Sequence, residues 1–422
     1  MHARLSRVGV LAIASMAACT PALRAAKLTV AEVSAAEPAR KPKHDEGRVV
    51  SGPWDVRLSD PNRRRLKLDP RSPGGIEVAA GNALIFSTCE SPYVKQVEFV
   101  TWLNANQIIV SCRIDELLTE DAGAPLRAAA NVELVDVSDG EMASLRHLRS
   151  LESLRLIGTQ VSDAGLEHLK GLTTLQTLEL RCPKARDAGL EHLKALTMLQ
   201  TLNLTLTQVS DAGLEYLKGL TTLQTLGLST TNVSGAGLEH LKGLTKLQAL
   251  NLTLTQVSDA GLEHLRGLTM LQTLNLNATK VSDAGLEHLK GLTMLQTLGL
   301  SFTQVSDAGL EHLKGLTALQ TLELGSTQVS DAGLEYLKGL TQLQTLDLTL
   351  TKVSDAGLEH LKGLTMLQRL ELRDTKVSDA GLEHLKGLTA LQRIELDHTK
   401  VSAAAAAQLR ARGIKVSPNG GP

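Results

Sequence analysis

Leu343 to Met366 reads LQTLDLTLTKVSDAGLEHLKGLTM, and the same 24 letters recur, little changed, from Leu151 to Ala390. Ten blocks start in phase, at Leu151, Leu175, Leu199, Leu223, Leu247, Leu271, Leu295, Leu319, Leu343 and Leu367; an eleventh, incomplete copy starts at Leu391. A fixed period of this length marks a stacked solenoid, in which one repeat is too small to fold alone and buries its apolar face against the next. Such folds present long surfaces and seldom enclose a reaction centre.

Two periodicities meet in each block. In Leu175-Gln176-Thr177-Leu178-Glu179-Leu180 the pair Leu178/Leu180 alternates with polar neighbours, which predicts a short strand with one buried face. In Val209 to Leu220 apolar residues fall at 214, 217 and 220, the spacing of one face of a short helix. Ser210 or Asp211 suits its N-cap, and Gly219 stands where it should end. Strand, turn, helix and return give a parallel coil.

The pattern LxxLxLxxT resembles the leucine-rich repeat family, with threonine (Thr159, Thr207, Thr231, Thr255) at the ninth position, where that family usually carries Asn or Cys. The following VSDAGLEHLKGLT looks like the helix-bearing subclass related to ribonuclease inhibitor and to the repeats of F-box substrate receptors. The resemblance covers about residues 130–416 and implies an α/β horseshoe with parallel strands on the concave face and short helices on the convex face. No F-box-like segment precedes the repeats, so a ubiquitin-ligase role is not implied. The second repeat departs from the pattern. Cys182-Pro183-Lys184-Ala185-Arg186 replaces x-Thr-x-Val-Ser, and a proline cannot supply the hydrogen bonds of the threonine column.

Outside the ten repeats of residues 151–390, five segments differ in character. Residues 1–26 carry Arg4 and Arg7 before an apolar run, Val8 to Ala18, too short to span a membrane and suited to a secretory signal peptide. Met16-Ala17-Ala18-Cys19 resembles a bacterial lipoprotein box, which implies lipidation at Cys19; cleavage near Ala25 or Ala26 is the alternative. Residues 27–50 read as a flexible linker. Residues 51–128 hold Trp54, Phe86, Tyr93, Phe99 and Trp102, with strands expected at Ile76 to Val78, Ala83 to Phe86 and Gln107 to Val110: a small β-rich module. Residues 129–150 read as a worn, capping repeat, with Met142, Leu145 and Leu148 on its helix. At the far end 391–416 forms the incomplete repeat and an alanine-rich cap, and 417–422 a disordered tail.

Composition excludes more than it assigns. A formal net charge of −1 draws the chain neither to nucleic acid nor to anionic lipid. Arg63-Arg64-Arg65-Leu66-Lys67 reads as a solvated turn. Export permits a disulfide, and Cys89 with Cys112 is the expected pair, leaving Cys182 free. His168, His192, His240, His264, His288, His312, His360 and His384 occupy one helix column, with Tyr216 and Tyr336 in the other two places. A metal needs ligand nitrogens about 2 Å away, whereas neighbouring helix axes lie roughly 8–10 Å apart, so this column reads as solvated convex surface and no metal or other cofactor is expected. The aspartate column (Asp163 to Asp379) and the glutamate column (Glu167 to Glu383) read as structural letters. No phosphate loop, nucleophile elbow or metal motif is present in the sequence, so an enzyme is not expected.

The informative positions are those that vary. Block positions 3, 5 and 7 should face the concave surface. They are small and neutral in the middle copies (Thr225/Gly227/Ser229, Thr273/Asn275/Asn277) and charged at the C-terminal end: Arg369/Glu371/Arg373 with Asp374, then Arg393/Glu395/Asp397 with His398. A smaller group, Arg155, Glu179 and Arg181, lies at the start, and position 8 adds Leu206, Leu254, Phe302 and Leu350. Binding hot spots favour Trp, Tyr and Arg, so the expected partner site is the charged C-terminal third flanked by Phe302 and Leu350. The sequence thus predicts a monomeric, exported, non-enzymatic scaffold for a protein or peptide partner. Two alternatives remain: a surface binder matching ice or polysaccharide with its Thr/Asn/Ser sheet, or a catalytic 51–128 module positioned by the repeats.

Overall fold

The computed structural model describes residues 137–417, for Glu141, Ser144 and His147 the backbone alone, and, before them, the backbone of eight short strands. The expected signal peptide, Cys19, the Cys89/Cys112 pair and most of the 51–128 module lie outside the described residues, and of the expected linker only the paired strands Val30–Ala31 and Arg48–Val50 are described. From the third copy on, the fourth excepted, each full repeat is a three-residue strand, a single turn of α-helix and a single turn of 3-10 helix; in the first two copies the strand has five residues. In the ninth copy these are Thr345–Asp347, Asp355–Leu358 and Glu359–Leu361. The strands form one open parallel sheet in which each residue pairs with the residue 24 positions on, as in Thr321↔Thr345 and Thr345↔Arg369. Strands line the concave side of the horseshoe and the short helices its outside.

The leucines that recur in the sequence form the core. In the ninth copy Leu343, Leu346, Leu348, Val353, Leu358, Leu361 and Leu364 are fully buried, and their equivalents elsewhere are nearly so. Each contributes roughly 1.5–3 kcal/mol by leaving water. The threonine at position 9 is buried too, and its hydroxyl donates to the carbonyl of the leucine three residues earlier (Thr351 Oγ1 to Leu348 O, 2.6 Å). That bond closes a turn whose eighth residue adopts left-handed backbone: φ is 67° at Leu206, 57° at Thr230, 58° at Leu254, 54° at Ala278, 60° at Phe302, 56° at Ser326 and 57° at Leu350. The second repeat is irregular at this turn. Its strand runs on to Arg181, and Cys182 points into the core against Thr159 Oγ1 at 2.9 Å in place of the left-handed turn. Burial pushes the Cys182 thiol pKa up.

The serine before each helix occupies the N-cap position, but in most copies its hydroxyl is turned to the preceding repeat instead of its own helix. Ser378 N–H donates to Asp355 Oδ1 at 2.7 Å and Ser378 Oγ to Asp355 Oδ2 at 2.6 Å, although this hydroxyl also accepts from its own helix at Ala380 N–H, 3.3 Å away. The same pair of bonds joins Ser210 to Asp187, Ser282 to Asp259 and Ser354 to Asp331. The aspartate column is therefore a ladder that ties helix to helix across repeats. The glycine two residues after each aspartate makes room for it: a Cβ on Gly357 would lie 2.4 Å from Asp331 Oδ1. In the fourth copy Gly235 takes the aspartate's place. Its helix is 3-10 throughout (Ala236–Leu241), and the next serine, Ser258, has no carboxylate to meet.

The ends differ from the middle. Asp139–Met142 and the following 3-10 turn Ala143–His147 bury Met142, Leu145 and Leu148 against the first repeat. At the C-terminal end Ala403–Ala411 is a regular helix, capped by Ser402 Oγ, which accepts from Ala405 N–H, and stopped at Gly413 with φ 85°. Lys415–Val416 then adds a last parallel strand. Before the first in-phase copy, strands Leu84–Phe86, Ile108–Val110 and Asn131–Val135 pair in parallel, Leu84↔Ile108↔Val132, again at steps of 24 residues, and lead into Ser153–Ile157. The parallel ladder thus begins ahead of the letters that announce it.

Candidate functional site: the inner face and its rim

The inner face is laid out by strand positions 3, 5 and 7 of successive copies, held in register by the parallel ladder. In the middle copies its polar groups bond one another. Thr253 Oγ1 donates to Asn275 Oδ1 at 2.8 Å, Ser301 N–H to Asn277 Oδ1 at 2.7 Å, and Asn277 Nδ2 crosses a whole repeat to Glu323 Oε2 at 2.7 Å. That crossing needs Gly299 beneath it, since a Cβ there would lie 2.9 Å from Asn277 Oδ1 and 3.0 Å from its Nδ2.

The charged C-terminal third forms a network centred on Glu395, whose side chain is 7% exposed. Arg373 donates to its Oε2 at 2.9 Å and Arg393 to its Oε1 at 2.8 Å, while Arg369 lies 3.5 Å from Oε1 and 2.7 Å from Glu371 Oε1. Arg373 also lies 3.8 Å from Asp397, and His398 Nδ1 is 3.0 Å from Asp374 Oδ1. Six of the eight charged residues singled out from the sequence form this network, while Asp374 and His398 make a separate pair, and the three arginines face carboxylates of their own chain. A similar pair stands at the other end, Arg155 Nε to Glu179 Oε2 at 3.2 Å, with Arg181 exposed beside it.

One feature of this face escapes a reading taken strand by strand. At position 5, Glu323, Asp347, Glu371 and Glu395 stand in adjacent strands and in register. Like charges placed directly opposite across strands repel. Burial first, and then the neighbouring Asp347, push the Glu371 carboxyl pKa up, against the pull of Arg369. The arginines compensate Glu371 and Glu395. Glu323 meets Asn277, and Asp347 Oδ1 accepts from Thr349 N–H at 2.8 Å. Reading the copies as columns instead of triplets is the signal that finds this row.

The left-handed residues at position 8 line the rim where the strands leave the sheet. Their amide N–H groups still join the ladder, as in Phe302 N to Gly325 O at 2.8 Å and Leu350 N to Arg373 O at 2.8 Å. The side chains are thrown outward: Phe302 is 65% exposed, Leu254 56%, Leu350 52% and Leu206 51%. Left-handed backbone costs a non-glycine residue roughly 1–2 kcal/mol, and nothing in the core is gained by a large side chain here.

On the outer face the histidine column is half-buried, not fully solvated. Nδ1 of His192, His240, His312 and His360 is buried without a hydrogen-bond partner. In two copies the ring of this column lies beside the basic residue of the previous copy. Arg266 donates to His288 Nδ1, and Lys314 sits 4.6 Å from the centroid of Tyr336. Among the described residues no group of three His, Cys, Asp or Glu side chains is placed to hold a metal ion.

With the geometry in place, comparison with known proteins is direct. The sequence profile described as "Leucine Rich repeat" matches residues 195–218, 243–265, 315–338, 339–362 and 363–386, five of the stretches built here from strand, turn and helix. The repeats are leucine-rich repeats. Solved leucine-rich repeat structures share the fold. An internalin of Listeria monocytogenes is 24% identical, covering 74% of this chain and 86% of its own, with a TM-score of 0.56. A leucine-rich repeat protein of Leptospira interrogans is 19% identical over 78% of this chain and 87% of its own, also at 0.56. A chain of the mouse RP105/MD-1 complex is 17% identical over 76% of this chain and 60% of its own, at 0.54. No curated protein sequence matches the chain.

Proposed function

We propose that this protein is an exported, non-enzymatic scaffold that recognises a protein or peptide partner through the inner face of its leucine-rich repeats, toward the C-terminal end. One observation carries the reading: positions 3, 5, 7 and 8, which lie on the strand side, turn from neutral in the middle copies to charged in the copies that start at Leu367 and Leu391. The partner-facing residues proposed are Glu371, Asp374, Asp397 and His398, with Phe302 and Leu350 on the rim; Arg369, Arg373, Arg393 and Glu395 organise them. One fold neighbour is a chain of the mouse RP105/MD-1 complex, a protein–protein assembly, which fits a recognition role. Identical repeats supply no singular environment of the kind that tunes a catalytic group. The leader supports export, with lipid attachment at Cys19.

Two experiments test this. A photo-crosslinking residue placed at Thr345 on the inner face is expected to capture a defined partner, and the same residue at Lys338 on the outer face is not. Capture only from Lys338, or from neither site, would refute the inner-face reading; recovery of polysaccharide instead of protein would favour the lattice alternative. Intact mass of the chain recovered from membranes should show a start at Cys19 with an acyl modification, and an unprocessed cytosolic chain would refute export.

A further inference from the structure

The rim carries a pattern that the rest of the solenoid does not. Position 8 reads Leu206, Thr230, Leu254, Ala278, Phe302, Ser326, Leu350: large and small in strict alternation, a period of two repeats, where the other columns are constant or vary without such a period. All seven adopt the same left-handed backbone, so Ala278 and Ser326 demonstrate that the turn itself needs no bulk. The large members are nonetheless leucine and phenylalanine, more than half exposed. Exposed apolar side chains held in a strained conformation, at regular intervals, are a surface kept for contact.

Spacing and charge together define what fits. Parallel strands stand about 4.8 Å apart, so Leu254, Phe302 and Leu350 recur about every 10 Å with gaps over Ala278 and Ser326. An α-helix rises about 10.5 Å in seven residues, so a helix with one large apolar residue every seventh position meets this rim knob into gap. Beside the same stretch of rim, about 10 Å inward along the strands, lie Glu323 and Asp347, which among the described residues face no arginine or lysine. Farther along, Arg369, Arg373 and Arg393 are already engaged by Glu371, Glu395 and Asp397. The six carboxylates Glu323, Asp347, Glu371, Asp374, Glu395 and Asp397 outnumber those three guanidiniums, and the face is acidic. We infer that the rim from Leu254 to Leu350 seats a basic amphipathic helix of a partner protein, its apolar residues seven apart in the gaps and its lysines or arginines over Glu323 and Asp347. The inference rests on the inner-face reading above and narrows it to one class of partner.

The test uses the full chain and three labelled 21-residue peptides in fluorescence anisotropy. The first is an alanine/glutamine helix with leucine at every seventh position and lysines along the flank; the second moves the leucines to every fifth position; the third replaces the lysines by glutamate. The first peptide should bind, the second at least about ten-fold more weakly, and the third not measurably. Phe302→Ser, which places at 302 the residue already tolerated at 326, should weaken the first peptide about ten-fold without loss of fold. Glu323→Gln with Asp347→Asn should weaken it several-fold and flatten its salt dependence. No binding by the first peptide, equal binding by the second, or an unchanged affinity in Phe302→Ser overturns the inference. If that happens while Thr345 still captures a partner by photo-crosslinking, the helix falls and the inner-face reading stands. If Thr345 captures none, both fall.

Discussion

Phe302 illustrates how much of this protein's character sits in single residues. Its backbone is left-handed, its ring is 65% exposed, and its neighbours at the same position include alanine and serine. Phe302→Gly should remove roughly 1–2 kcal/mol of conformational cost and return about 0.5–1 kcal/mol as unfolded-state entropy. Urea unfolding should therefore show the variant as stable as the parent, or up to about 1 kcal/mol more stable; a clear loss would mean that the ring packs after all. Glu371 makes a second case. Its pKa is raised above the unfolded value by burial and by Asp347, so the protonated form suits the folded state and the ionised form is penalised. That penalty is absent below the unfolded pKa and appears as pH rises through the folded one. Glu371→Gln should accordingly raise stability at neutral pH, with the gain shrinking to nothing as pH falls below the carboxylate range. A variant less stable at neutral pH would show that the Arg369 pairing dominates. Phe302 stood out in the sequence as a large apolar residue in a variable column, but its left-handed backbone did not, because phenylalanine disfavours it, nor did the Asp347–Glu371 repulsion, because the two stand 24 letters apart.

Between elements, the decisive contact is Asp–Ser–Gly. Burial raises the Asp355 carboxyl, but hydrogen bonds from Ser378 Oγ, Ser378 N–H and the Gly381 N–H outweigh it, so its pKa is lowered overall. Its contribution is present above the unfolded pKa and lost as pH falls through the folded one. Asp355→Ala breaks two short bonds to a part-buried serine and should cost about 1–3 kcal/mol, with the difference from the parent narrowing in acid; no change at neutral pH would show that the ladder is ornamental. The interruption at Gly235 makes a natural counterpart. There the backbones close up, and a Cβ on Gly261 would lie only 2.3 Å from Gly235 Cα. Hydrogen exchange should find the Ser258 amide faster than those of Ser282, Ser306, Ser330, Ser354 and Ser378, each of which donates to an aspartate. The strands, the buried leucines and the threonine hydroxyls were readable in advance because each recurs in every copy. The ladder was not: SDAG suggests capping within one helix, and only the stacking distance shows that the carboxylate serves the next.

At the scale of the molecule, near-identical repeats make stability a sum over neighbours and leave function to the few columns that vary. The sequence marked the C-terminal third as charged and marked Phe302 and Leu350 as its flank. Folding changes the meaning of those charges. Arg369, Arg373 and Arg393 close on Glu371, Glu395 and Asp397, and among the described residues Glu323 and Asp347 stay on the inner face with only Asn277 and Thr349 as their hydrogen-bond partners. Charge pairing between strands depends on register, which single letters do not carry. The fold also starts earlier than the letters show, with parallel strands at 84–86, 108–110 and 131–135 stepping by the same 24 residues. Carboxyl footprinting is the measurement that bears most directly on recognition by the inner face: carbodiimide labelling of the full chain, free and bound to the partner captured through Thr345, read residue by residue. The account predicts that Glu323 and Asp347 lose labelling on binding while Glu311, Glu335 and Glu359 on the outer face keep theirs. Protection of the outer row with Glu323 and Asp347 unchanged would contradict it.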